Sequence, residues 1–179
     1  IQDVQHHAVK RHIVHLDYGR VSLAALDKRG GDWLPRLQAA FAAGGIETDV
    51  QPSLRAARWR KLAWNIPFNG LSVLLDRNTD AIMADPEARV LAERLMQEVA
   101  DGAAACGVPF DPDFIPKLLT ITERMAPYAP SMRLDFQAKR ALEIEYMYRR
   151  PLREATRHGV RLPAVETIAS QLSILDRPA

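Results

Sequence analysis

The chain has 179 residues, 47% of them hydrophobic and 26% charged, with a formal net charge of +2. That is enough for one good-sized domain plus part of another, and the small charge weighs against a dedicated nucleic-acid surface. Cys106 is the only cysteine, which excludes an intrachain disulfide framework and a CxxC metal site and fits a reducing cytoplasm. No run of about 18 apolar residues is present, so neither a membrane span nor a membrane partner is expected.

The start, Ile1-Gln2-Asp3-Val4-Gln5-His6-His7, lacks both an initiator methionine and the basic-then-apolar layout of a signal peptide, and reads as a chain cut from something longer. Residues 13–16 and 20–26 read as extended, joined by a hairpin turn at Asp17-Tyr18-Gly19. Lys28-Arg29-Gly30-Gly31 reads as a loop. Leu34, Leu37 and Phe41 then give helical spacing from Trp33 to Ala43, with Gly44-Gly45 as its stop. Residues 46–50 alternate as a strand that Pro52 ends. These pieces supply at most three strands, and the glycine pairs do not match GxGxxG, so this chain alone is not expected to bind a dinucleotide well.

After Pro52 the pattern becomes helical. Ser53 is a cap for a long helix with Pro67 as a kink, and Asp85-Pro86 starts another that runs to Gly107. Asp111-Pro112-Asp113 opens a helix ending near Met125, and Pro130-Ser131 a shorter one. Residues 143–158 form the next, strained at Pro151, and Pro163 opens the last, with Ile168, Leu172 and Leu175 on its apolar side. The expected organisation is a small α/β piece over residues 1–52 and an all-helical domain over residues 53–179, a mainly α protein without internal repeats.

The chemistry concentrates in Trp59-Arg60-Lys61-Leu62-Ala63-Trp64-Asn65-Ile66-Pro67-Phe68-Asn69. At about 100° per residue, Lys61, Asn65 and Asn69 stay on one helix face, with Ser72 close to the same stripe. A lysine among apolar neighbours is costly unless paired or set in a cleft, where it can hand a proton to a developing oxyanion. Arg55, Arg58 and Arg60 also allow a plain solvated face. Asn65 and Asn69 either orient substrate oxygens or hydrogen-bond core helices. A second group is Ser131-Met132-Arg133-Leu134-Asp135 followed by Glu143-Ile144-Glu145. There Ser131 is a cap or a ligand contact, Asp135 with Lys139 an i,i+4 pair, and Glu143 a first-turn acid or a cleft carboxylate.

These blocks, with the tail Gly159-Val160-Arg161-Leu162-Pro163, resemble in order and interval the C-terminal part of the ketopantoate reductase (2-dehydropantoate 2-reductase) family, from about Ile13 to Asp176. The resemblance implies a multi-helical C-terminal domain of the 6-phosphogluconate-dehydrogenase-like type, preceded by the last pieces of a Rossmann domain. It implies an NADPH-dependent reductase of a small 2-oxo acid, with the cofactor bound mainly by a domain this chain does not contain. By the same resemblance Lys61 is the general acid and Glu143 binds substrate and positions the lysine, while Asn65, Asn69 and Ser131 hold substrate oxygens and the carboxylate. A cytoplasmic homodimer working in pantothenate biosynthesis is implied, with the isolated chain inactive. Leu142 and Tyr148-Arg149 stand where many members have Thr and Asn-Gly, which changes the expected cleft wall.

The rival readings are a non-catalytic helical dimerisation or interaction module derived from this family and, more remotely, a nucleic-acid binder using the basic ridge Arg149, Arg150, Arg153 and Arg157. His6, His7, His12 and His15 lack an accompanying carboxylate cluster, so no metal is expected. Trp33, Trp59 and Trp64 read as core or interface residues rather than a base-stacking platform.

Overall fold

The computed structural model describes residues 6–9, 12–15 and 20–176, with side chains from residue 20 onward except that of Lys28. The chain divides into two units that part between Arg58 and Trp59. In the first, β1 (His6–Val9) pairs antiparallel with β2 (His12–His15), His6 opposite His15 and Val9 opposite His12. β3 (Val21–Leu23) pairs in parallel with β4 (Thr48–Val50), Val21 facing Thr48. Parallel neighbours need a crossover, and α1 (Lys28–Ala43) supplies it. The expected hairpin between residues 13–16 and 20–26 is therefore not the pairing found, since each segment takes a different partner; its turn at 17–19 lies outside the described residues. The described strands number four, one more than expected.

The expected loop at 28–31 is the first turn of α1. Asp27, in extended backbone, accepts a hydrogen bond from the Gly30 amide at 2.8 Å, and this cap outweighs the low helix propensity of the glycine pair. Gly45, at φ +73°, closes the helix as expected. Trp33 lies on the outside, 57% exposed, with the Arg36 guanidinium 5.1 Å over its ring, so it is not a core residue of this unit.

α2 (Leu54–Leu74) starts where the Ser53 hydroxyl accepts from the Ala56 amide at 3.1 Å, and it runs through Pro67. From Trp59 on it belongs to the second unit, where Ala63, Ile66, Phe68 and Leu71 are buried. Around it follow α3 (Thr79–Ala84), α4 (Pro86–Ala105), α5 (Phe114–Arg124) and α6 (Ser131–Gln137). Then come a π-helical turn (Glu145–Arg149), α7 (Arg150–Arg157) and α8 (Pro163–Leu175). Asp85 caps α4 through the amides of Glu87 and Ala88, both at 3.1 Å.

One continuous core joins Ala92, Leu95, Met96 and Val99 of α4 to Val165, Ile168 and Leu172 of α8 and the α2 residues. α4 carries Gly102 where a Cβ would come within 3.2 Å of Leu162, 3.3 Å of Trp59 and 3.4 Å of Ala155. Leu175 is 44% exposed and does not share the apolar side of α8. The N-terminus of α8 is served from a distance. Pro163 has no N–H, and the Glu98 carboxylate of α4 accepts from the amides of Ala164 at 2.8 Å and Val165 at 3.0 Å.

The π turn has a local cause. Pro151 cannot donate to the carbonyl of Met147, and the preceding amide, Arg150, reaches back five residues to Glu145. The strain expected at Pro151 is thus absorbed one turn earlier.

Candidate active site

α2 presents the expected stripe unevenly. Lys61 and Asn65 are half-buried, whereas Asn69 is 2% exposed and Ser72 fully buried. The Asn69 side-chain oxygen accepts from the Met132 amide at 3.0 Å and from the Ser131 hydroxyl at 3.4 Å. Both lone pairs of that oxygen thus hold the N-terminus of α6, and only the Asn69 amide protons remain for other partners. Ser72 donates to the Asn69 backbone carbonyl at 3.0 Å, so it braces the helix rather than extending the stripe. Beside the stripe, the Trp64 indole donates to Thr122 of α5 at 3.0 Å, and its ring lies 5.0 Å from that of Phe68.

The structure therefore brings Asn69 and Ser131 into contact across 62 positions of sequence. Glu143 is exposed and precedes the π turn, where its carbonyl accepts from the Met147 amide at 3.2 Å. The acid in the first turn of that element is Glu145. Asp135 pairs with Arg140 at 2.6 Å rather than with Lys139. Lys139, at φ +55°, lies past the Ala138 cap of α6, so i,i+4 geometry no longer applies to it.

Leu142 and Tyr148, expected to alter the cleft wall, are both buried in the core, at 8% and 0% exposure. The Leu142 amide donates to Asp176 at 3.0 Å, and the Tyr148 hydroxyl donates to the carbonyl of Ile66 at 2.8 Å. Burial pushes the Tyr148 hydroxyl far above the usual phenol range. Tyr148 is the buried polar contact to α2 that sequence reading missed; Gly70, one residue past Asn69, is its only local trace.

Arg149, Arg150, Arg153 and Arg157 form an exposed ridge. Arg149 donates to Ser173 at 3.0 Å, Arg153 pairs with Glu145 and Arg157 pairs with Glu154 at 2.6 Å, which is the behaviour of a solvated ionic face. Among the described residues no group of three His, Cys, Asp or Glu side chains is placed to hold a metal ion. No helix among them is long and apolar enough to cross a membrane.

The helical unit is thus built on one long helix with a lysine and amides on one face and a serine-led helix docked beside it. Residues 53–176 match the family model described as "Ketopantoate reductase PanE/ApbA C terminal". The chain belongs to the ketopantoate reductase family. It is similar to a 2-dehydropantoate 2-reductase of Nostoc sp., 39% identical over 170 residues, which cover 92% of this chain and 53% of that protein. Among solved structures it is similar to 2-dehydropantoate 2-reductases from Geobacter metallireducens and Methylococcus capsulatus. The first has a TM-score of 0.81 at 35% identity, covering 90% of this chain and 55% of that one. The second has a TM-score of 0.80 at 32% identity, covering 92% and 53%. The chain thus spans about half the length of the relatives it matches.

Proposed function

We propose that this chain is the substrate-holding, proton-donating half of an NADPH-dependent 2-oxo acid reductase of the 2-dehydropantoate 2-reductase type. Residues 1–52 are then the end of the nucleotide-binding domain, and residues 53–179 the substrate-binding, catalytic and dimerisation domain of a cytoplasmic homodimer in pantothenate biosynthesis. The observation that carries the reading is the junction of α2 with α6, where Asn69 fixes Ser131 beside the helix that bears Lys61 and Asn65.

The described residues do not fit the nucleotide themselves. At the β3–α1 turn, where a phosphate would need free amides, the Asp27 carboxylate already occupies the Gly30 N–H and sets a negative charge there. The nucleotide is then bound mainly by the half of the relatives that this chain does not span, and the hydride comes from there.

What this chain contributes is proton and position. Reduction of a carbonyl carbon leaves negative charge on oxygen, and the Lys61 ammonium, half-buried on α2, neutralises it by giving up a proton. The Asn65 and Asn69 amides and the Ser131 hydroxyl donate to the oxygens of the substrate. Asn69 is suited to this because its own oxygen is already satisfied, which leaves its N–H groups aimed by a fixed side chain. Glu143 is the counter-charge that steers the lysine.

The test is Lys61→Ala in the reductase assembled with its nucleotide-binding half, assayed by NADPH oxidation with 2-dehydropantoate. Loss of a general acid should lower turnover about 100-fold or more with the fold intact. A fall of less than about tenfold would remove Lys61 from the acid role. Tolerance of both Lys61→Ala and Glu143→Ala would point to a non-catalytic helical interaction module instead.

A further inference from the structure

We propose that Tyr148 is a positioning residue of this site, a buried hydroxyl that sets the spacing between the two asparagines and ties them to the segment bearing Glu143. The inference rests on the reductase reading above. Tyr148 is 0% exposed, and its hydroxyl donates to the Ile66 carbonyl at 2.8 Å. The backbone of Gly70 lies against the same oxygen, close enough that a Cβ there would be 2.8 Å from it. Ile66 and Gly70 stand at i and i+4 of one helical turn, so a side chain from outside α2 is bonded to the first and packed against the second. Each is the immediate C-terminal neighbour of a proposed substrate donor, Asn65 and Asn69 respectively.

The location is the one where α2 is weakest. Pro67 has no amide to give the carbonyl of Ala63, and its ring pushes that carbonyl aside, so the turn around it is loosened. Gly70 leaves the room that the hydroxyl takes, for a Cβ there would lie 2.8 Å from the Tyr148 oxygen. The other end of the clamp is the π turn. It holds one more residue per turn than an α-helix and so resets by about 100° the side on which Tyr148 emerges. Its Met147 amide is bonded to the Glu143 carbonyl at 3.2 Å. One hydroxyl therefore joins the α2 turn that bears both asparagines to the segment bearing Glu143, across 82 positions of sequence. Asn69 passes the constraint on to Ser131.

The experiment is Tyr148→Phe in the assembled reductase, with Lys61→Ala as reference. The expected result is a kcat lowered about tenfold and a shift of about half a unit or more in the basic limb of the kcat/KM pH profile, with KM for NADPH unchanged. A residue that only fills the core would lower thermal stability and leave kcat and the pH profile in place; that result overturns the proposal. If Lys61→Ala stays active, the reductase reading itself fails, which is a distinct outcome. A second measurement does not depend on how well the phenylalanine variant folds. With 3-fluorotyrosine at position 148, the fluorine resonance should move when 2-dehydropantoate is added to the NADP-bound protein. A resonance indifferent to the 2-oxo acid overturns the positioning role.

Discussion

Gly70→Ala sets two effects against each other, and the structure decides the sign. In an exposed helix interior the substitution would stabilise by about 1 kcal/mol, through helix propensity and a less flexible unfolded chain. Here the new methyl would lie 2.6 Å from Ile168 Cγ2 and 2.8 Å from the Tyr148 hydroxyl oxygen. Ordinary carbon contacts lie at about 3.5–4.0 Å, so the overlap is about an ångström. Neither neighbour yields easily. Ile168 is β-branched and 5% exposed, and Tyr148 is fully enclosed. Overpacking of this kind costs about 1–3 kcal/mol, and displacing the Tyr148 hydroxyl from Ile66 adds about 1 kcal/mol more. The penalties win, and the net destabilisation should be about 2 kcal/mol. Urea unfolding followed by far-UV circular dichroism measures it as a lower midpoint at unchanged slope. Ile168→Ala in the Gly70→Ala background should make the two changes non-additive, because it opens the space that the methyl needs. A single variant as stable as the wild type would refute the packing argument at this crossing.

Three other expectations follow from named contacts. Glu98→Ala strands the Ala164 and Val165 amides at a helix start whose first residue is proline, and should cost about 2–3 kcal/mol in denaturant unfolding. An effect below about 0.5 kcal/mol would show that water replaces the cap. Asn69→Asp keeps the acceptor that holds α6 but loses the amide donor. In the assembled reductase KM for 2-dehydropantoate should therefore rise about tenfold, and burying a carboxylate at this 2% exposed position should also lower stability, by about 1–3 kcal/mol. Asp85 is held below the usual carboxylate range, first by the Ala88 amide and then by Arg77. With its folded pKa below its unfolded value, its stabilisation is complete above about pH 4 and is lost as pH falls through the lower folded value. Asp85→Asn should flatten the fall of Tm on that acid side, and an unchanged slope would dismiss this linkage.

Local chemistry was legible where a residue acts on its own neighbours. Ser53 and Asp85 cap the helices they precede, and Gly45 and Gly107 take positive φ where helices stop. What the sequence hid were partners. Alternation marks β3 as a strand but cannot say that it pairs with β4, across a helix, instead of with its nearest neighbour. The glycines at 30 and 31 argue for a loop until the Asp27 cap is set against them. Tyr148 and Ile66 stand 82 positions apart, and no periodicity announces their bond. The same holds for Glu98, which reads as an ordinary surface acid of α4 although its side chain is only 12% exposed and caps another helix.

The stripe on α2 shows why spacing alone overstated a uniform site. A step of four residues overshoots a full turn by about 40°, so Asn69 is rotated by about 80° from Lys61 around the axis. Pro67 lies between them without ending the helix. The two ends therefore meet different surroundings: Lys61 and Asn65 stay half-buried, while Asn69 turns fully into the contact with α6. That division matters for chemistry. A proton donor must reach a substrate and exchange its proton with water between turnovers, so half-burial suits the role proposed for Lys61. A binding amide gains by being immobile, and burial with a satisfied oxygen suits the role proposed for Asn69. One helix face supplies both conditions because its twist carries the stripe from the rim of the domain into its core.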